Sequence, residues 1–194
     1  GKTYEIGPEG MKFLSIGEGG PSLYLSTQIH GQFYYVNGFA AIEQWSEAEG
    51  LVGATLRAHL MDIDKKPVTN QQAGLELSFN VGLVPDLGCL LITGHARNLG
   101  EASDVYCFWG WVPGSGYVTP DGERHAWSMS YRDLGELGWV FLPSQQEGRP
   151  GVGWIGPGIF GESRFGTMIQ YTNPKYIKTP SGGEVTTHLA VMPA

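Results

Sequence analysis

The chain has 194 residues, a formal net charge of −7 and a pI near 5.1. That acidic balance argues against nucleic acid and against anionic membrane surfaces as partners, since both select for clusters of Lys and Arg, and no run of 18 apolar residues is present to insert in a membrane. A hydrophobic share of 41% with 12% aromatics excludes a disordered polypeptide, while thirty glycines and twelve prolines exceed the ~12% of an average chain and call for many turns.

In chain order, Asn37-Gly38 reads as a turn, and Ala41 to Leu51 carries the only helical pattern, through Ile42, Trp45, Ala48 and Glu49. Val52 to Met61 alternates Val52, Ala54, Leu56, Ala58 and Leu60 with Gly53, Thr55, Arg57 and His59, the period of a half-buried strand. Leu75 to Leu83 repeats the pattern. Cys89–His95, Val105–Val112, His125–Tyr131, Trp139–Leu142, Phe165–Thr172 and Val185–Met192 continue it. Turn signals at Lys66-Pro67, Pro85-Asp86, Asn98-Leu99-Gly100, Pro113-Gly114, Pro120-Asp121-Gly122 and Gly148 to Gly151 separate these runs. Strands at this spacing predict an all-β fold, a compact antiparallel β-barrel with decorated loops. The length suits one domain over 1–194, which buries roughly 70% of its unfolded surface and needs no cofactor or metal to fold.

The motifs that carry chemistry are sparse. Gly151-Val152-Gly153-Trp154-Ile155-Gly156 fits a dinucleotide fingerprint, but Pro157, Gly158 and Gly161 forbid the helix that would hold a pyrophosphate. The segment reads instead as a bent strand with Trp154 packed inward. His30, His59, His95, His125 and His188 lie on separate elements without metal-ligand spacing, although two can meet across a sheet. Asp62 and Asp64 end a strand without the Gly and distal Glu of a calcium loop. No nucleophile elbow occurs. Cys89 and Cys107 are the only cysteines. A hairpin turning at Asn98-Leu99 would set them opposite one another for a disulfide worth about 3 kcal/mol; the other reading makes each a small buried hydrophobe. Trp109 and Trp111 share one strand face, Tyr106 and Phe108 the other, which suits burial on both sides or an interface.

Three segments carry a family resemblance. Tyr34-Tyr35-Val36-Asn37-Gly38-Phe39-Ala40-Ala41-Ile42-Glu43-Gln44-Trp45 is followed by Gly138-Trp139-Val140-Phe141-Leu142-Pro143 and then by Gly153-Trp154-Ile155. Their order and spacing resemble the spike (projection) domain of an astrovirus capsid protein, over roughly a quarter of the chain. The resemblance implies a homodimer on the virion surface, assembled in the host cytoplasm, that binds a host-cell receptor, displays epitopes for neutralising antibodies and carries out no enzymatic chemistry. A capsid assembled in a reducing compartment also disfavours the Cys89–Cys107 bond.

Two other readings remain. One is a secreted glycan-binding β-sandwich of lectin type, using aromatic platforms with polar donors such as Tyr117, Asp121 and Trp127. The other is a β-barrel enzyme, which calls for a deep pocket with perturbed titratable groups. On any reading, binding residues are expected in the polar loops Asp64–Gln71, Gly114–Glu123 and Ser144–Pro150. Within them Tyr117, Asp121 and Arg149 are the named candidates, as contact area, hydrogen-bond acceptor and anchor.

Overall fold

The computed structural model describes residues 4–5, 12–16, 22–46, 51–112, 116–126, 132–143, 151–155, 160–164, 167–171 and 178–193. Their strands begin with β1 (Tyr4–Glu5), β2 (Lys12–Ile16), β3 (Ser22–Ile29), β4 (Gln32–Ser46), β5 (Val52–Met61) and β6 (Pro67–Val68). After the helix α1 (Asn70–Ala73) come β7 (Leu75–Val84), β8 (Cys89–Asn98), β9 (Ser103–Val112), β10 (Tyr117–Val118), β11 (Arg124–His125) and β12 (Arg132–Glu136). The last are β13 (Trp139–Leu142), β14 (Val152–Ile155), β15 (Phe160–Arg164), β16 (Thr167–Tyr171), β17 (Lys178–Thr179) and β18 (Glu184–Pro193).

All the pairings are antiparallel, and the fold is all-β. The main ladder runs β4-β5-β7-β8-β18-β14-β13-β10-β11. At its other end β4 passes to β3, and β3 to β9, β16, β15 and β12. Among the described residues β11 registers with β10 and β12 with β15, and closure of the sheet into a barrel is not shown. β9 lies near β8 and β18, its register partners among the described residues being β3, β16 and β17, and Val105 of β9 and Ile29 of β3 belong to the same core as the main sheet. The ladder therefore folds back on itself as a second layer, the usual way for a sheet to cover its apolar face.

The period-two reading of the sequence locates that core. Leu56, Ala58 and Leu60 of β5 face inward with Leu75, Leu77, Phe79 and Val81 of β7 and Leu90, Ile92 and Ala96 of β8. Leu189 and Val191 of β18, Val152 and Trp154 of β14, and Val140 and Leu142 of β13 complete it. Trp154 is fully buried, as expected, in a plain strand rather than a nucleotide loop.

Two local expectations change. Asn37-Gly38 is not a turn: it lies within β4, where Gly38 has φ 141° and the register with β5 slips between Val36 and Gly38, as in a β-bulge. The turn that does join β3 to β4 is His30-Gly31, both at positive φ (51° and 75°), the backbone that tight hairpins favour. Residues 41–46 continue β4 as strand, and the single described helix is α1, where Thr69 and Gln72 form a reciprocal capping box and Gly74 ends the turn in the left-handed region.

The disulfide expectation is also corrected. β8 is flanked by β7 and β18 on its two edges, and β9 pairs with β3, β16 and β17, so β8 and β9 never form the hairpin that would align the cysteines. Cys107 stands opposite Thr27 of β3, and Cys89 is a free, buried thiol whose Sγ donates weakly to the Leu90 carbonyl at 3.7 Å. Burial pushes its pKa up, which disfavours the reactive thiolate.

Candidate functional site

The loop candidates separate into three situations. Tyr117 is only 2% exposed, a core residue whose ring stacks on His125 with centroids 4.8 Å apart, so it is not a contact platform on a loop tip. Asp121 is exposed at the tip of the β10–β11 turn, but its carboxylate is engaged within that turn. Oδ1 accepts from the Thr119 hydroxyl at 2.6 Å and from the Glu123 N–H at 3.1 Å. The Thr119 hydroxyl bond first, and the Glu123 backbone bond second, hold this acid below its usual range. Because the Thr119 hydroxyl proton goes to Asp121, the 2.8 Å contact with His125 is a donation from His125 Nε2–H to the Thr119 oxygen. Arg149 lies outside the described residues, as does the Ser144–Pro150 loop. The Trp109, Trp111, Tyr106 and Phe108 side chains are likewise beyond those described.

The richest set of exposed functional groups is instead on a sheet face. β5, β7, β8 and β18 lie side by side, and their outward residues fall into four rows across the strands. Glu76, Arg97 and Glu184 form the first row; Arg57, Ser78, His95 and Thr186 form the second. Glu43 of β4 with Thr55, Asn80, Thr93 and His188 forms the third. The fourth changes character: Gly53, Gly82, Leu91 and Ala190 continue into Ile155 of β14 and Trp139 of β13. Rows are spaced by two residues, about 6.7 Å along each strand.

Side chains in these rows touch across the strands. His95 Nδ1–H donates to Glu184 Oε1 at 2.7 Å, and Thr186 Oγ1 also lies 3.4 Å from that oxygen. The Thr93 hydroxyl and His188 Nδ1 share a bond of 3.2 Å, and Thr55 Oγ1 donates to Asn80 Oδ1 at 2.9 Å. Arg57 Nε approaches Glu76 Oε2 to 3.9 Å. In the fourth row Leu91, Ile155 and Trp139 are about two-fifths exposed, with Met192 beside them. Trp45, opposite Gly53 on β4, covers the glycine end. A Cβ on Gly53 would sit 2.5 Å from the Trp45 Cη2 and Cζ2 atoms, and one on Gly82 would sit 3.1 Å from Cη2. The two glycines leave room for the indole to rest on the backbone, which a side chain at either position would prevent.

Two of the five histidines, His95 and His188, thus share one face with two arginines and three glutamates, although the sequence places them on separate strands. Among the described residues no group of three His, Cys, Asp or Glu side chains is arranged to hold a metal ion. The face offers polar rows of hydrogen-bonding groups bordered by an apolar, aromatic row. A sugar presents the same two chemistries: hydroxyls around its rim and C–H groups on its ring face.

No protein-family model and no curated protein matches the chain. Solved structures do. The α-galactosidase AgaA of glycoside hydrolase family GH36 from Geobacillus stearothermophilus matches with a TM-score of 0.56 and 10% identity, over 88% of this chain and 30% of that one. AgaB from the same organism gives 0.52 and 12% identity, over 93% and 28%. The galactosidase domain of the α-galactosidase-sucrose kinase AgaSK gives 0.51 and 14%, over 89% and 28%. The chain therefore spans less than a third of each of these proteins and shares with them a β-sandwich fold. These matches correct the expectation of a chain with no enzymatic role, because the fold is one that α-galactosidases contain.

Proposed function

We propose that the chain is a glycan-binding β-sandwich domain associated with carbohydrate-active chemistry, and that it binds through the outer face of β5, β7, β8, β18, β14 and β13. The observation that carries this reading is the register, which sets Thr55, Asn80, Thr93 and His188 in one row beside Leu91, Ile155 and Trp139 in the next. Hydroxyl and amide groups at the rim with an exposed indole beside them supply both directional bonds and apolar contact, the combination that small polar ligands require. Support also comes from the fold, shared with proteins named as α-galactosidases, which makes galactosides the first glycans to test. The test is titration of the purified domain with galactose-containing oligosaccharides, followed by calorimetry. Binding is expected, and Trp139→Ala and Asn80→Ala should weaken it in proteins that keep their circular dichroism and melting behaviour. Equal binding by both variants would refute the assignment to this face.

Host-cell attachment as a viral spike is a second reading, supported by the Asn-Gly-Phe and Gly-Trp segments. In the fold those segments supply scaffold as well as surface: Val36, Val140 and Trp154 are in the core, and Trp139 is on the outer face. Binding of the domain to susceptible cells, unaffected by competing free glycans, would favour that reading over the first.

A further inference from the structure

We infer, resting on the glycan-binding reading, that the ligand is an uncharged linear oligosaccharide laid across the strands along the fourth row, with Trp45 and Trp139 as its two end platforms. The Trp45 indole sits over Gly53 and Gly82 on β5 and β7, and Trp139 stands on β13. From β7 the ladder steps through β8, β18 and β14 to β13, four strand spacings or about 19 Å. That span is several pyranose rings long, so a monosaccharide reaches one platform only. Between the platforms, Leu91 and Ile155 are exposed and Ala190 is small, which leaves a low apolar floor.

Charge selects the class of ligand. Arg57 is matched by Glu76, and His95 by Glu184, in the two rows farther from the floor. The interior of the row next to the floor, Thr55, Asn80 and Thr93, is uncharged and carries hydroxyl and amide groups only. An uncharged glycan lying on the floor would turn one edge of hydroxyls toward those groups. A chain of uronates would bring carboxylates to a strip whose interior residues Thr55, Asn80 and Thr93 carry no cation.

The experiment measures the affinity of the intact chain for a ladder of neutral oligosaccharides, from mono- to hexasaccharide, and for a uronate ladder. Affinity is expected to climb on the order of tenfold between mono- and tetrasaccharide and then level off, as it does when each added ring gains contacts until the floor is full. Trp139→Ala and Trp45→Phe should each flatten that climb. Trp139 is exposed, so its variant keeps the fold even where Trp45 variants do not. Monosaccharide binding as tight as tetrasaccharide binding would overturn the extended site and leave glycan binding intact. Uronates bound more tightly than neutral chains would overturn the uncharged ligand. No binding by any member would overturn both this inference and the function on which it rests.

Discussion

Asn98 is the polar side chain on which the junction between the two layers depends. It is fully buried at the end of β8. Its Nδ2 donates to the carbonyls of Glu101 at 2.7 Å and Thr179 at 2.9 Å, and its Oδ1 accepts from the Gly100 N–H at 2.9 Å. The backbone of the same residue donates to the Gly183 carbonyl and accepts from the Gly182 N–H, so five bonds converge on one position. Asn98→Ala removes the three side-chain bonds and keeps the other two. At about 1 kcal/mol net for each bond, with an added penalty for the buried Thr179 carbonyl and some relief where Glu101 regains water, the loss comes to about 2–4 kcal/mol. For a chain of this size that lowers Tm by about 6–12 °C. Asn98→Asp should cost more at neutral pH, because a carboxylate there would face two carbonyl oxygens where an amide donated to both. Urea unfolding of the three proteins measures this directly. A loss below about 1 kcal/mol for Asn98→Ala, or equal losses for the two variants, would show that packing rather than hydrogen bonding holds the junction.

Trp154→Ala should destabilise by about 3–5 kcal/mol, through the cavity left by the largest fully buried side chain among the described residues, and is read by the same unfolding assay. Asp121 is held below its usual range, so its stabilising bonds are present above the unfolded carboxylate pKa and are lost as pH falls through the lower folded value. Asp121→Asn should therefore narrow the stability difference between pH 7 and roughly pH 3, as followed by urea midpoints. Gly82→Val should lower glycan affinity by displacing Trp45 while the polar rows remain intact, which titration calorimetry tests. The two-fold dimer implied by the spike resemblance should appear in sedimentation at tens of micromolar as a species of twice the chain mass; a monomer alone counts against it.

Much of the strand pattern was legible because alternation is a local property. Val52–Met61, Leu75–Val84 and Glu184–Pro193 show it residue by residue, and their inward members are the core found in the structure. The order of the strands was not legible, since it depends on which edges pair, as where β4 hands the ladder to β3. Asn37-Gly38 carried a turn signal that the bulge in β4 absorbed, while His30-Gly31 made the real hairpin with a weaker one. The outer-face site was half legible. Alternation alone points Thr93, His95, Thr186 and His188 outward, but only the pairing of β8 with β18, some ninety residues apart, brings His95 to Glu184 and Thr93 to His188. Turn chemistry suggested Tyr117 as a loop residue, and its burial beneath His125 followed from the short β10–β11 pair that no periodicity marks.

The central claim is that glycans bind the outer face of the main sheet. The most direct measurement is a two-dimensional NMR titration with a neutral galactose-containing oligosaccharide, following the indole N–H signals of the tryptophans and the backbone signals of β8 and β18. The account predicts that signals of Trp139, Trp45, Thr93 and His188 shift together and saturate, while those of buried Trp154 and of the Thr119–His125 turn stay in place. Shifts confined to the Thr119–His125 turn, or none on the outer face at saturating ligand, would contradict it.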